Sequence, residues 1–190
     1  MSPPISKSDL RAQLRLRRRE LAATHPDAGE RAAAHLPPAR LAPFAVVAGY
    51  HPLDGEIDPW PTLRRLADAG ARIALPAALD RCGPLIFRAY APGDPLEPDA
   101  VKIPSPTGAA RTLVPDLVIA PLLAFDAEGH RLGQGAGHYD RTLQALRERG
   151  SVWVIGLAYA GQRIERVPRE PHDQPLDAIL TETGYHVARR

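Results

Sequence analysis

The sequence predicts an α/β protein: one domain of residues 1–190, built as a three-layer α/β/α sandwich around a largely parallel sheet. Three apolar runs, at 41–50, 117–125 and 152–160, are roughly ten residues long, half of the ~20 that a membrane span needs. Stretches with helical patterning alternate with these runs, which favours parallel strands with helices on both faces. A chain of 190 residues, 44% apolar and 24% charged, can form one core.

The elements of the first half follow from their caps and their apolar spacing. Ser6 or Ser8 can cap a helix that runs to about residue 23 and carries Leu10, Leu14 and Leu21 on one face. Prolines and glycines mark most of the later boundaries. The other elements predicted here are helices at 29–36 and 60–69, and strands at 44–50, 72–75 and 85–90.

The second half opens on a segment with little regular pattern. Prolines crowd residues 92–115, which predicts a long surface loop that either holds its shape or is flexible and closes over a ligand. Gly150 follows a run typical of a helix at 139–149 and can cap it. Strands are predicted at 117–120, 151–158 and 176–181.

Composition narrows the classes of function. The net charge is only +2 and aromatic residues make up 5%, which argues against a nucleic-acid-binding protein. The single cysteine, Cys82, favours a reducing compartment, and we expect the cytoplasm. The start of the chain lacks the apolar stretch of a secretory signal, and zinc patterns such as C-x-x-C or H-E-x-x-H do not occur.

A glycine-rich loop is the most informative stretch of the chain. Gly133, Gly135 and Gly137 alternate just before the helix predicted at 139–149. Glycines let a ligand approach the backbone, and their N–H groups beside a helix N-terminus suit a phosphate. Arg131 adds a planar cationic fork, and Asp140 adds a hard oxygen ligand of the kind that Mg²⁺ prefers. The loop therefore predicts a phosphoryl-transfer site.

Other candidate residues gather with this loop. Ligands of α/β folds bind at the C-terminal ends of the strands, where segments 50–56, 125–137 and 159–173 are predicted to lie. Lys7 and Arg11 are one helical turn apart, so both can face the same ligand. We therefore group these residues into one site.

Residues 125–141 resemble the signature of 5-formyltetrahydrofolate cyclo-ligases, enzymes also called methenyltetrahydrofolate synthetases. The glycine loop followed by Tyr139-Asp140-Arg141 is a specific signal, and weaker segments of the same family occur in family order around it. Together they extend the resemblance from residue 7 to residue 184. These segments are 7–11, the run from Tyr50 to Glu56, Ala120-Pro121, and the run from Gln162 to Asp177.

The resemblance implies conversion of 5-formyltetrahydrofolate to 5,10-methenyltetrahydrofolate with ATP and Mg²⁺, releasing ADP and phosphate. A formamide oxygen is a poor leaving group, so phosphorylation would turn it into one that departs readily. Catalysis then requires positioning and charge stabilisation, with no covalent protein nucleophile. We expect a monomer that binds ATP and 5-formyltetrahydrofolate, with no nucleic-acid or membrane partner.

The resemblance also assigns roles to individual residues. It makes Arg131, Tyr139 and Asp140 catalytic, and Asp140 and Asp177 the Mg²⁺ ligands, with Asp173 as a competitor. The residues implied to bind ATP are Lys7, Ser8, Asp9, Leu10, Arg11, Arg131, Leu132, Gly133, Gln134, Gly135, Ala136, Gly137, His138 and Tyr139. The residues implied to bind the folate are His51, Glu56, Gln134, Gly135, Ala136, Gly137 and His138. An ionised Glu56 can accept two N–H groups from a pterin edge.

The chain departs from the family pattern at two loop positions. His138 stands where the family often has a second tyrosine, and Ala136 stands where it sometimes has a basic residue. The histidine changes stacking, and the alanine removes one phosphate contact. Both departures bear on affinity and on substrate preference.

Structural alternatives exist for each candidate. The glycine loop alone fits a tight turn, Lys7 and Arg11 fit a solvated helix face, and Asp177 fits a strand end. His51 and His172 fit ordinary packing or hydrogen-bonding roles. Four further arginines of the first helix are assigned to solvent or to packing: Arg15, Arg17, Arg18 and Arg19.

Alternative functions also exist. A non-catalytic paralogue that binds folate or nucleotide would keep the same residues, and a nucleic-acid-binding protein would use the arginine-rich helix. Sugar-phosphate isomerases and CoA-transferases share this type of fold, and fold alone does not determine function. The complete phosphate loop favours the cyclo-ligase.

Overall fold

The computed structural model describes residues 6–41 and 44–189. Two residues of the apolar run at 41–50, residues 42 and 43, lie outside this part, as do residues 1–5 and 190. The helices are α1 (Lys7–Thr24), α2 (Ala28–His35), α3 (Trp60–Asp68) and α4 (His138–Arg149). The strands are β1 (Val46–Ala48), β2 (Arg72–Ala78), β3 (Leu85–Ala89), β4 (Leu96–Pro98), β5 (Pro104–Pro106), β6 (Thr112–Leu113), β7 (Leu117–Ala120), β8 (Ala124–Phe125), β9 (Arg131–Leu132), β10 (Trp153–Leu157), β11 (Ala178–Thr181) and β12 (Gly184–Val187).

The main sheet has eight strands and is mostly parallel. Its order is β12-β11-β10-β7-β1-β2-β3-β6. The five central strands, from β11 to β2, run parallel, while β12, β3 and β6 are antiparallel to their neighbours. The prediction of an α/β fold with a largely parallel sheet is confirmed.

Helices pack against both faces of this sheet. Successive strand residues point to opposite faces, and the core is accordingly divided into two main clusters. Val47 and Ile119 belong to the cluster that includes residues of α2 and α3. Val46 and Val118 belong to the cluster that includes Leu143 of α4. Neither face of the central strands is left open to water, which explains their continuous apolar runs.

Helix boundaries follow the predicted caps closely. The Ser6 side chain accepts the Asp9 N–H at 3.1 Å and begins α1. Gly150 ends α4 with its N–H on the carbonyl of Leu146. Leu14, at 4% exposure, is the buried member of the predicted leucine face. Among the described residues, no helix combines the length and the apolar character that crossing a membrane requires.

The prediction of a long loop at 92–115 is wrong. This segment contains the β4–β5 hairpin and strand β6. Pro98 and Pro104 stand opposite each other in that hairpin. Both strands of a two-stranded sheet are edge strands, where a residue without an N–H is tolerated. Strand β12 was also missed, because its four residues show no clear alternation.

Candidate functional site

A cavity of about 740 Å³ opens where three parallel strands end. It is lined by residues that follow β1, β2 and β7, including His51, Arg81 and Pro121. The cavity therefore lies at the C-terminal ends of the strands, where ligands of α/β folds bind. Its volume lies within the range of small-molecule sites, about 300–1,000 Å³.

Most of the predicted site residues line this cavity. The exceptions are Ser8, Asp9, Leu10 and Asp177. Asp9 takes part in the cap of α1, and Leu10 packs against a small apolar cluster beside the loop. The predicted residues that line the cavity are Lys7, Arg11, His51, Glu56, Arg131, Leu132, Gly133, Gln134, Gly135, Ala136, Gly137, His138, Tyr139 and Asp140.

The glycine loop connects the β8–β9 hairpin to α4. Gly135 and Gly137 have φ of +107° and +70°, a region that favours glycine, and Gly137 is the residue before the first turn of α4. A Cβ at Gly137 would lie 2.6 Å from an Nη atom of Arg141. The loop is therefore shaped by glycine at two positions, where any other residue would be strained.

Three arginines surround the loop. Arg11 donates from Nε to the Gly133 carbonyl at 3.1 Å, and Arg15 donates to the Gln134 side chain at 2.9 Å. Arg141 donates to the Ala136 carbonyl at 2.7 Å. An anion at this loop would lie among several guanidinium groups, each able to donate more than one hydrogen bond.

Arg131 and Asp140 form a partly buried ion pair. The Arg131 Nη2 lies 2.7 Å from Oδ1 of Asp140, and its side chain is 5% exposed. Its other Nη donates to the Gln174 carbonyl, and the Gln174 N–H donates to Asp140 at 3.0 Å. The sequence predicts that the Arg131 guanidinium binds phosphate. In the structure this guanidinium connects Asp140 of α4 to the segment that contains Asp173.

The segment 170–173 supplies more charge to the cavity. Lys7 donates to Glu170 at 2.6 Å, which lowers the pKa of Glu170. The Glu170 N–H donates to Asp173, and His172 lies 3.4 Å from the Glu170 carboxylate. The cavity wall therefore carries carboxylates from Asp140, Glu170 and Asp173.

Asp177 lies elsewhere, at the start of β11. Its Oδ2 accepts the Val154 N–H at 2.8 Å and lies 3.5 Å from Arg147. The side chain is 9% exposed and does not line the cavity. In the structure Asp177 joins two core strands, and Asp173 is the member of this competing pair that reaches the cavity.

Glu56 pairs with Arg18. The Arg18 Nη1 lies 3.0 Å from Oε1 of Glu56, and Oε2 accepts the Leu53 N–H at 3.1 Å. Burial raises the pKa of the Glu56 carboxyl, and Arg18 opposes that rise. Tyr139 lies near enough for Glu56 to raise its pKa further, beyond the effect of its burial.

His138 and His51 lie at the same cavity. The His138 Nδ1 donates to the Gly83 carbonyl at 2.8 Å, which connects the glycine loop to the β2–β3 turn. A tyrosine at position 138 lacks this ring nitrogen and could not make the same hydrogen bond. His51 lies on the loop after β1.

Sequence reasoning missed several cavity residues. Arg18 is 1% exposed and lines the cavity, although it was assigned to solvent or packing. Its spacing from Lys7 and Arg11, eleven and seven residues, places all three on one helical face and is a signal that could have found it. The β4–β5 turn, residues 99–103, also lines the cavity, and no pattern within it indicates this.

One group with metal-ligand chemistry lies outside the cavity. Asp126, Glu128 and His130 bring three ligand atoms within 4.8 Å of one another. The buried Asp126 carboxylate accepts N–H groups from Glu128, His130 and Val167. Burial raises the pKa of Asp126, but these hydrogen bonds outweigh it and leave the pKa below its usual value. This carboxylate stabilises the β8–β9 turn.

Comparison with known proteins identifies the family of this chain. The model of the 5-formyltetrahydrofolate cyclo-ligase family matches residues 4–182. The chain is 37% identical to the 5-formyltetrahydrofolate cyclo-ligase of Escherichia coli K12, covering 88% of this chain and 96% of that one. It is 33% identical to that of Mycolicibacterium smegmatis, covering 98% and 99%.

A solved structure has the same fold. The 5,10-methenyltetrahydrofolate synthetase of Aquifex aeolicus superposes with a TM-score of 0.78 at 28% identity, over 98% of this chain and 94% of that one. Sequence and structure thus agree along nearly the whole chain. The chain therefore belongs to the 5-formyltetrahydrofolate cyclo-ligase family, a family of enzymes.

Proposed function

We propose that this chain converts 5-formyltetrahydrofolate to 5,10-methenyltetrahydrofolate at the expense of ATP. The observation that carries the proposal is one cavity that brings together the glycine loop, the basic face of α1 and the Arg18–Glu56 pair. The first two suit phosphates, and the third suits a ring edge with N–H donors. Family membership supports the activity, and these contacts support the roles given below.

The proposed reaction has two steps. The formyl oxygen attacks the γ-phosphorus of ATP, the bond to the bridging oxygen breaks, and ADP leaves. N10 of the folate then attacks the formyl carbon, phosphate leaves with the former formyl oxygen, and the N10 proton passes to solvent. N5, the formyl carbon and N10 belong to one molecule, so the protein must mainly hold two ligands in line.

The chain's own groups divide this work. Arg11, Lys7 and the glycine-loop N–H groups bind the phosphates, and Arg131 positions Asp140 through their ion pair. Glu56 accepts hydrogen bonds from the pterin, and His51 and Tyr139 help to enclose the rings. We propose that Ser8, Asp9 and Leu10, which belong to the first turn of α1, lie beside the nucleotide.

The carboxylates at the cavity fit a Mg²⁺ ion that accompanies the nucleotide. Mg²⁺ in such sites is held by one or two carboxylates together with phosphates and water, which does not require a closed protein cage. Asp140 and Asp173 both line the cavity, and they are the residues that would hold it. When bound, the ion would offset negative charge on the phosphates.

The activity is tested by mixing the protein with ATP, MgCl₂ and 5-formyltetrahydrofolate. The product absorbs in the near ultraviolet, so its formation is followed directly, and ADP is measured in parallel. We expect one ADP per methenyl product. Binding of both ligands without product would instead support the non-catalytic paralogue, and salt-dependent binding of RNA would support the nucleic-acid alternative.

Glu56→Gln tests the folate contact. The amide keeps the size of the side chain but replaces one acceptor oxygen with a donor, so we expect the KM for 5-formyltetrahydrofolate to rise about ten- to a hundredfold. The KM for MgATP should change much less, because the hydrogen bonds of Glu56 go to Arg18 and Leu53 and not to the glycine loop. Equal increases of both constants would argue against a specific folate role.

Asp173→Asn and Asp177→Asn together test the second metal ligand. Since Asp173 lines the cavity and Asp177 does not, we expect Asp173→Asn to raise the Mg²⁺ concentration needed for half-maximal rate. Asp177→Asn should lower thermal stability, because its carboxylate joins β10 to β11, but leave the Mg²⁺ requirement unchanged. The reverse pattern would support Asp177 as the ligand.

We also propose the finer features of the fold and its setting. Helices on both faces of the sheet support a single three-layer sandwich of the type shared with sugar-phosphate isomerases and CoA-transferases. The unpaired Cys82 supports a cytoplasmic location. We propose a monomer, and sedimentation of the purified protein tests that state.

A further inference from the structure

Arg18 lies in an environment that is unusual for an arginine. It belongs to the middle of α1 and is 1% exposed, and Leu14 is the other α1 residue described as buried. A buried cation is costly unless its surroundings accept its hydrogen bonds and balance its charge. The contacts of this guanidinium are therefore informative about its role.

Those contacts all go to the turn that carries Glu56. Nη1 lies 3.0 Å from Oε1 of Glu56, and Nη2 donates to the carbonyls of Asp54 at 3.2 Å and Leu53 at 3.5 Å. Asp54 and Gly55 both have positive φ, at 49° and 76°. A non-glycine residue in that region is strained, and such strain persists only where the surroundings hold it.

The turn also packs directly on α1. A Cβ at Gly55 would lie 3.3 Å from the Cβ of Ala22 and 3.4 Å from the Cα of Arg19. Position 55 therefore allows the turn to approach the helix closely enough for Arg18 to reach its carbonyls. The Arg18 side chain connects α1 to residues 53–56 through these hydrogen bonds.

Burial and a neighbouring carboxylate both disfavour the ionised form of Glu56. Burial raises the pKa of Glu56, and the nearby Asp54 carboxylate raises it further. Tyr50 and Tyr139 face Glu56 from β1's end and from α4, and neither carries a positive charge. Arg18 is the cation that acts in the other direction, together with the Leu53 N–H.

We infer that Arg18 is a positioning residue, which holds the Glu56 carboxylate ionised and fixed at the cavity wall for recognition of the pterin. This inference rests on the proposed folate role of Glu56. Arg18 does not have to contact the substrate to act in this way. Loss of its charge should therefore affect folate binding more than turnover at saturation, and should do so in a pH-dependent manner.

Arg18→Met tests the inference, with Arg19→Met as the matched control. Arg19 is the next residue, but it is 59% exposed and pairs only loosely with Asp54 at 3.5 Å. For Arg18→Met we expect the KM for 5-formyltetrahydrofolate to rise about ten- to a hundredfold at neutral pH. The KM for MgATP and the kcat should change much less, and Arg19→Met should match the wild type.

The pH profile gives a readout that a purely structural role would not produce. Without Arg18, the pKa of Glu56 rises further, so its carboxyl is protonated at low pH and ionises as the pH increases. The KM for the folate should therefore fall with rising pH in Arg18→Met. Adding Glu56→Gln to this variant should abolish that dependence, because the titrating group is then absent.

If Arg18→Met does not fold, Arg18→Lys tests the same inference. Lysine keeps the charge but lacks the fork, so the same effects should occur in smaller size. A folate KM and pH profile identical to the wild type would overturn the inference, as would equal increases for both substrates. If the wild type itself makes no product, the proposed function fails instead, which separates the two outcomes.

Discussion

Asp140→Asn is expected to reduce kcat by about a hundred- to a thousandfold, the usual cost of removing one group that stabilises charge in a transition state. The amide keeps an oxygen that can accept from Arg131 and from the Gln174 N–H, so the geometry of the pair survives. What is lost is the negative charge at the cavity wall that would hold Mg²⁺ beside the phosphates. Steady-state rates at saturating MgATP and folate measure the effect.

Because Arg131 is nearly buried, a loss of stability in Asp140→Asn must be distinguished from a loss of catalysis. Neutralising Asp140 leaves the Arg131 charge without its counterion, which costs about 2–3 kcal/mol at a partly exposed pair. The double variant Arg131→Met/Asp140→Asn removes both charges and should regain part of the thermal stability but no activity. Near-normal kcat in the single variant would remove Asp140 from the proposed metal site.

Arg131→Lys is expected to lower kcat/KM about ten- to a hundredfold although the charge is retained. The guanidinium joins two partners at once, Asp140 and the Gln174 carbonyl. An ammonium on a shorter reach can keep one of these contacts. Because Gln174 adjoins Asp173, the loss should loosen a carboxylate that lines the cavity, and the Mg²⁺ requirement should rise as well.

Arg64→Lys is the matched control for this substitution. Arg64 pairs with Glu30 at 2.9 Å, but both side chains are more than half exposed and neither lines the cavity. An exposed pair of this kind contributes little, so activity and melting temperature should match the wild type. If Arg131→Lys also matched the wild type, its fork would have no functional importance.

Local patterns predicted much of the fold. The cap at Ser6, the C-terminal glycine of α4 and the run at 117–120 act within a few residues of sequence, so they can be recognised without tertiary context. The β4–β5 hairpin could not be recognised this way. Its three-residue strands are rich in proline, and they are held by pairing with each other and by hydrogen bonds to β2 and β3.

Many of the residues that line the cavity were predictable to a similar degree. The glycine loop with Arg131 and Asp140 combines residue types that suit phosphate and metal within ten positions, and all of it lines the cavity. Asp177 shows the limit of such reasoning. An aspartate near a strand end suits either a metal or a structural hydrogen bond, and only the position of the strand in the sheet distinguishes the two.

The amino-acid sequence by itself determined the class of fold, the glycine loop and the family, because these depend on local conformation and on the order of short motifs. Tertiary structure alone decided that Asp173 reaches the cavity, that the Arg131 fork holds Asp140, and that Arg18 is buried against Glu56. The Arg131–Asp140 and Arg18–Glu56 contacts join groups that are 9 and 38 residues apart in the chain. Their energies depend on burial and on the neighbouring charges, which arise only when distant segments pack together.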